Sequence, residues 1–148
     1  MKGSKESSKF QTAVEYLHDY TGVIGAVIAD REGLAVASSP AGLTESDVYA
    51  ALGPEIIITA DRILRKLATP GCKYIALKTD DVWLTVASAA GFNLIVLADK
   101  KADDLLNVRI QRSLDMILNH VKEKYPAEVI SAGSDSIKKK EAMEASNV

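Results

Sequence analysis

Residues 73–79, 82–88 and 92–98 form three apolar runs separated only by short polar or glycine-bearing turns, and a long amphipathic stretch follows them. Each run is rich in β-branched and aromatic residues, which predicts a β-meander. Upstream, Phe10, Ala13, Val14 and Leu17 recur at helical spacing until Thr21-Gly22 closes a first helix. Residues 23–29 are apolar on both parities, the pattern of an interior strand covered on both faces. Asp30-Arg31-Glu32-Gly33 reads as a hairpin loop in which Gly33 takes a positive φ, with residues 34–38 returning as the partner strand. Pro40-Ala41-Gly42 breaks the sheet.

A middle helix is expected from Thr44, a good N-cap with Asp47 three residues on, to Ala68, where Thr69-Pro70-Gly71 ends it. Gly53-Pro54 in its middle predicts either a kink or two short helices, because proline removes a backbone donor and disfavours a helical residue before it. The last helix is expected over 102–125, with Leu106, Ile110, Ser113, Leu114, Ile117 and Val121 on one stripe. Asp103 and Asp104 in its first turn, and Lys122 and Lys124 in its last, suit the helix dipole, and Pro126 stops it. The order α-β-β-α-β-β-β-α defines an α+β fold with five strands.

Five strands about 4.8 Å apart span roughly 24 Å, while a helix with its side chains is about 10 Å across, so each sheet face needs two helices. Three helices leave one face half bare, and an exposed apolar area of that size marks an interaction site. An advance of 100° per residue from Val48 puts Leu52, Ile56, Thr59, Ile63 and Leu67 on a sheet-facing arc. Ile57, Leu64 and Ala68 flank that arc and suit the same helix of a twofold-related copy; the alternative is one broad buried stripe in a monomer. On the same phase Ile58, Asp61, Arg62 and Arg65 point away from the sheet, an exposed isoleucine ringed by charges that resembles the centre and rim of a binding surface. The alternative there is a solvated helix face.

The 148 residues, 47% hydrophobic and 26% charged, suit one soluble domain with short tails, and a second core does not fit. A net charge of −2 gives no electrostatic case for nucleic acid. The polar start lacks the apolar core of a secretory signal and no run approaches a membrane span, so a cytoplasmic protein without membrane insertion is expected. Residues 1–8 are expected to be loose, residues 9–125 to form the domain, and residues 126–148 to be a tail of low apolar content. Within that tail, residues 136–145 have helix-favouring composition for folding on a partner, and Lys138, Lys139 and Lys140 offer charge steering.

Chemistry is nearly absent. No phosphate loop, zinc-protease helix or nucleophile elbow occurs, so neither catalytic residues, cofactor nor metal is expected. His18 and His120 read as surface or boundary residues without a ligand partner. Asp80-Asp81 reads as a turn between strands rather than a carboxylate pair for acid-base work. Trp83 lies out of phase with Val82 and Leu84 and is expected to pack under a helix on the other sheet face, not to stack on a ligand. Cys72, the sole cysteine, excludes an internal disulfide and reads as a small residue in a turn before a strand.

Three segments together, GVIGAVIADREGLAVAS, YIALKTDDVWLTVAS and GFNLIVLADKKADDLLNVRIQRSL, resemble the Roadblock dynein light-chain family over about residues 10–125. The strand ending in Asp30 and Gly33, the strand 93–98 and the Val108-Arg109 step carry the likeness, by order and spacing. The resemblance implies a profilin-like five-stranded antiparallel sheet between helices, a homodimer and no catalysis of its own. It implies pairing of the strand 73–79 with its twin, with Ile75 and Leu77 joining Ile57, Leu64 and Ala68 at the dimer interface. It further implies that paired middle helices bind a small Ras-like GTPase, as scaffold or activating protein, with MglB-type bacterial polarity regulators as the functional analogue. The sequence departs from the family at Gly53-Pro54 and at Asn107, where many relatives carry glycine. A structural adaptor indifferent to nucleotide state, and a small-molecule sensor needing a polar-lined cavity, are the other classes; close-packed Ile, Leu and Val at inward positions speak against the sensor.

Overall fold

The computed structural model describes residues 4–124, and the expected tail with Lys138, Lys139 and Lys140 lies outside them. The elements run α1 (Ser4–His18), β1 (Val23–Ala29), β2 (Ala35–Ser39), α2 (Ser46–Lys66), β3 (Tyr74–Lys78), β4 (Val82–Ala89), β5 (Phe92–Asp99) and α3 (Leu106–Lys124). This is the expected order. The strands form one antiparallel sheet in the order β2-β1-β5-β4-β3, so β1 is interior, β5 central, and β2 and β3 are the edges.

Local chemistry explains the turns. Asp30 Oδ1 accepts from the backbone N–H groups of Glu32 and Leu34, and Gly33 takes φ +82° to let the chain reverse into β2. In the β3–β4 hairpin the bonding group is Thr79, whose hydroxyl oxygen accepts from Asp81 and Val82, while Asp80 and Asp81 occupy the turn as expected.

Strand alternation sends side chains to two separate cores. Ala26, Ile28, Leu94, Val96 and Trp83 meet Phe10, Leu17, Ile110 and Ile117 of α1 and α3 on one face. Val27, Ala29, Val86 and Ile95 meet Ala50, Ile56 and Ile57 of α2 on the other. Two helices thus cover one face and a single helix crosses the second, which leaves that second face partly bare as the width argument requires. Trp83 packs under a helix on the face expected for it.

The α1–α3 layer is tied at several levels. Ser113 donates to the Ala13 carbonyl at 3.1 Å, Arg109 to the Tyr16 carbonyl at 2.7 Å, and the Tyr20 hydroxyl to Asp103. Asp103 lies ahead of α3, where its carboxylate accepts from the Leu105 N–H, so the expected acidic first turn is a cap preceding a helix that starts at Leu106, three residues after Asp103. His120, expected near the surface, is buried with its ring edge-on to Phe10 at 4.8 Å between centroids. Its place on the stripe 113, 117, 120 accounts for that. His18 is half-buried, with Nδ1 2.9 Å from the Ser39 hydroxyl.

Candidate functional site

The middle helix is one continuous element, Ser46–Lys66, with Pro54 inside it, so Gly53-Pro54 does not split it. It begins two residues beyond Thr44, and its N-cap Glu45 makes no side-chain cap bond. The sheet-facing residues are Ala50, Gly53, Ile56 and Ile57, of which Ala50 and Gly53 are buried. This corrects the arc expected from Val48. Of that arc only Ile56 packs inward; Leu52 is 47% exposed, Ile63 60% and Leu67 67%, and Thr59 is exposed as well.

The physical reason is the smallness of the contact. Gly53 lies over the row Ile75, Val86, Ile95, Val27, whose members are paired across four strands. A helix that brings alanine and glycine to a sheet approaches it closely and turns its larger side chains outward. The outward apolar residues are therefore surplus to this chain's own core.

They gather on two flanks. Between α2 and the edge strand β3 lies a groove of about 750 Å³ lined by Leu52, Ile56, Ile63 and Leu64 with Tyr74 and Ile75. Beside it, on the α2-facing side of β3, Leu77 is 48% exposed. On the other flank a concavity of about 490 Å³ is lined by Ile57, Ile58, Asp61, Arg62 and Arg65 with Gly71 and Cys72 of the α2–β3 loop. All four residues expected to meet a partner, Ile58, Asp61, Arg62 and Arg65, thus share one surface.

They do different work within it. Ile58 and Arg62 are exposed. Asp61 is turned onto its own chain: Oδ1 accepts from the N–H groups of Gly71 at 2.6 Å and Cys72 at 3.1 Å, and Oδ2 from Arg65 Nε at 2.9 Å. The Gly71 amide first, then Arg65 and the Cys72 amide, hold the Asp61 carboxyl below its ordinary range. Cys72 is a loop residue before β3, as expected, half-buried and with its thiol directed at the Tyr74 carbonyl.

The residues expected at a dimer contact are more scattered. Leu64 and Ile75 line the apolar groove, and Leu77 stands beside it. Ile57 packs on the inner cluster of its own chain, and Ala68 lies past the helix, exposed at φ +59°. Leu52, Ile63 and Tyr74 join the groove unforeseen, because the helical phase from Val48 assigns the first two to the sheet. The excess of large apolar residues around all sides of the helix was the available signal.

Other polar groups lie elsewhere. Lys78 Nζ stands 3.9 Å above the Trp83 ring, a cation–π contact at the far end of β3. No helix among the described residues is long and apolar enough to cross a membrane.

No curated protein matches the chain in sequence. Among solved structures, Myxococcus xanthus MglB aligns over 80% of this chain and 92% of its own, with TM-score 0.73 and 13% identity. The gliding protein MglB of Thermus thermophilus gives the same coverages, TM-score 0.72 and 16% identity. Acanthamoeba castellanii profilin IA aligns over 74% of this chain and 97% of its own, with TM-score 0.55 and 17% identity, so the fold is profilin-like. A family model described as the Roadblock/LC7 domain matches residues 9–99, and the chain belongs to the Roadblock/LC7 domain family.

Proposed function

We propose that this chain is a homodimeric Roadblock-type regulator that binds a small Ras-like GTPase on its paired α2 helices. The observation that carries the dimer is the difference between the two sheet edges. At β2 the edge is engaged by α1: Gln11 Nε2 donates to the Ser38 carbonyl at 2.8 Å and His18 meets Ser39. At β3 no strand of this chain pairs with the outer edge among the described residues, and the edge borders the apolar groove. An unpaired edge beside apolar surface is a template for a second strand. A twofold copy of β3 meets that need, and it brings the two α2 helices side by side over the seam.

The second part of the reading concerns the outer flank of α2. Ile58 is 56% exposed amid Arg62 and Arg65, an apolar centre with a basic rim, suited to a partner surface that carries carboxylates around an apolar side chain. The family membership and the fold shared with MglB support a GTPase as that partner. The chain then acts by holding the GTPase's switch elements in one of their states, which shifts a population without donating a catalytic group. Whether this speeds hydrolysis is read directly by stimulated turnover.

A structural adaptor light chain is the alternative, favoured by the same free edge, since an extended peptide can add to β3 as a strand. Two measurements test the proposal. Light scattering at micromolar concentration should give the mass of a dimer. Pull-down of a small GTPase should depend on whether GDP or a GTP analogue is loaded; binding indifferent to nucleotide supports the adaptor instead.

A further inference from the structure

Asp61 sits on α2 within the concave partner surface and reaches from it to the loop that enters β3. One carboxylate oxygen holds Gly71 and Cys72, the residues that lead into the edge strand β3. The other holds Nε of Arg65, which lines the concave partner surface.

The geometry points to Asp61 as a positioning residue that fixes the start of β3 against α2 and the Arg65 guanidinium on the partner face at once, so that dimer seam and partner surface are set by one carboxylate. The roles of those two surfaces rest on the proposed function; the tie itself rests on the bonds.

The loop explains why such a tie matters. Between α2 and β3 the chain passes through Ala68 at φ +59° and Gly71 at φ +98°. The Gly71 and Cys72 amides precede β3, outside the sheet ladder, and both donate to Asp61. A carboxylate on a regular helix is a rigid acceptor, and bonds to an ionised oxygen are stronger than neutral ones. On the other side, the bond to Nε orients the guanidinium plane and leaves its two terminal NH₂ groups for a carboxylate on a partner.

Two variants separate the arms of the tie. Asp61→Asn keeps a carbonyl oxygen for the loop amides and removes the ion pair, whereas Asp61→Ala removes both. Amide hydrogen exchange by NMR and a dilution series by light scattering are run on each, with circular dichroism confirming the fold. Asp61→Ala should speed exchange at Gly71 and Cys72 by at least about tenfold and weaken the dimer by a similar factor. Asp61→Asn should leave the loop amides with protection between that of the wild type and that of Asp61→Ala, because a neutral oxygen accepts more weakly than a carboxylate, while the Arg65 Nε–H exchanges faster. Unchanged exchange at Gly71 and Cys72 in a folded Asp61→Ala protein overturns the tie. Faster exchange with an unaltered dimer constant overturns its role at the seam. A wild-type chain that stays monomeric defeats the dimer reading, and the exchange data still decide whether Asp61 holds the loop.

Discussion

A Cβ placed on Gly53 would stand 2.8 Å from Cγ1 and 2.9 Å from Cδ1 of Ile95. Ile95 is 1% exposed and sits at the centre of the α2-side cluster, so it cannot swing away. The backbone of α2 therefore rests almost directly on the central strand. That contact sets the helix rotation, and with it the flanks that carry Leu52 and Ile63 on one side and Ile58 on the other.

Gly53→Ala should destabilise the fold although it improves helix propensity. The propensity gain is about 1 kcal/mol, while overpacking a filled contact costs about 1–3 kcal/mol. A fall of a few degrees in melting temperature is expected, with a larger fall for Gly53→Leu. A rise in melting temperature for Gly53→Ala would mean that α2 lifts from the sheet at no cost.

The strands were legible because alternation reports two faces independently of any partner, and all five fall within a residue or two of their expected positions. The phase of α2 was not legible. Its sheet-facing side includes Ala50 and Gly53, which a search for large apolar residues passes over, while Leu52, Ile58 and Ile63 sit outside the chain's own core. Asp61 looked like a surface charge because its loop partners lie ten and eleven residues away, beyond any helical spacing rule. His120, also expected at the surface or boundary, is buried; the signal for it was its position three residues after Ile117, beside the apolar stripe.

Ile63→Asp should dissociate the dimer and leave the monomer folded. Ile63 is 60% exposed and lines the groove beside β3, so a charge there costs little within one chain. Buried against a second copy, the same charge would lack a partner. Mass by light scattering should fall by half with an unchanged far-ultraviolet spectrum. Ile57→Asp is expected to lower stability outright, because Ile57 packs on the chain's own inner cluster.

Acid should loosen the α2–β3 loop. The folded Asp61 carboxyl titrates below its ordinary value, chiefly through the Gly71 N–H, so its contribution is present above the unfolded value of about 3.9 and is lost as pH falls through the lower folded value. Exchange at Gly71 and Cys72, corrected for intrinsic rates, should therefore rise below about pH 4. Asp61→Asn should abolish that rise, since the amide does not titrate. An acid response identical in both proteins would assign it to another group.

Ile58→Asp should abolish GTPase binding in an intact dimer. Ile58 is 56% exposed and has no part in the inner cluster, so its loss leaves fold and seam alone. Arg62→Glu should weaken binding and flatten its salt dependence, because the basic rim then carries an opposed charge. Arg65→Ala should weaken binding through loss of its terminal NH₂ groups, yet stimulated hydrolysis at saturating regulator should not fall by the roughly 10³–10⁵ expected on removal of an arginine finger. Binding, mass and stimulated hydrolysis are measured together for the three variants. Unchanged binding by Ile58→Asp would move the partner site off this flank, and a fall of that size for Arg65→Ala would make Arg65 a catalytic group supplied in trans.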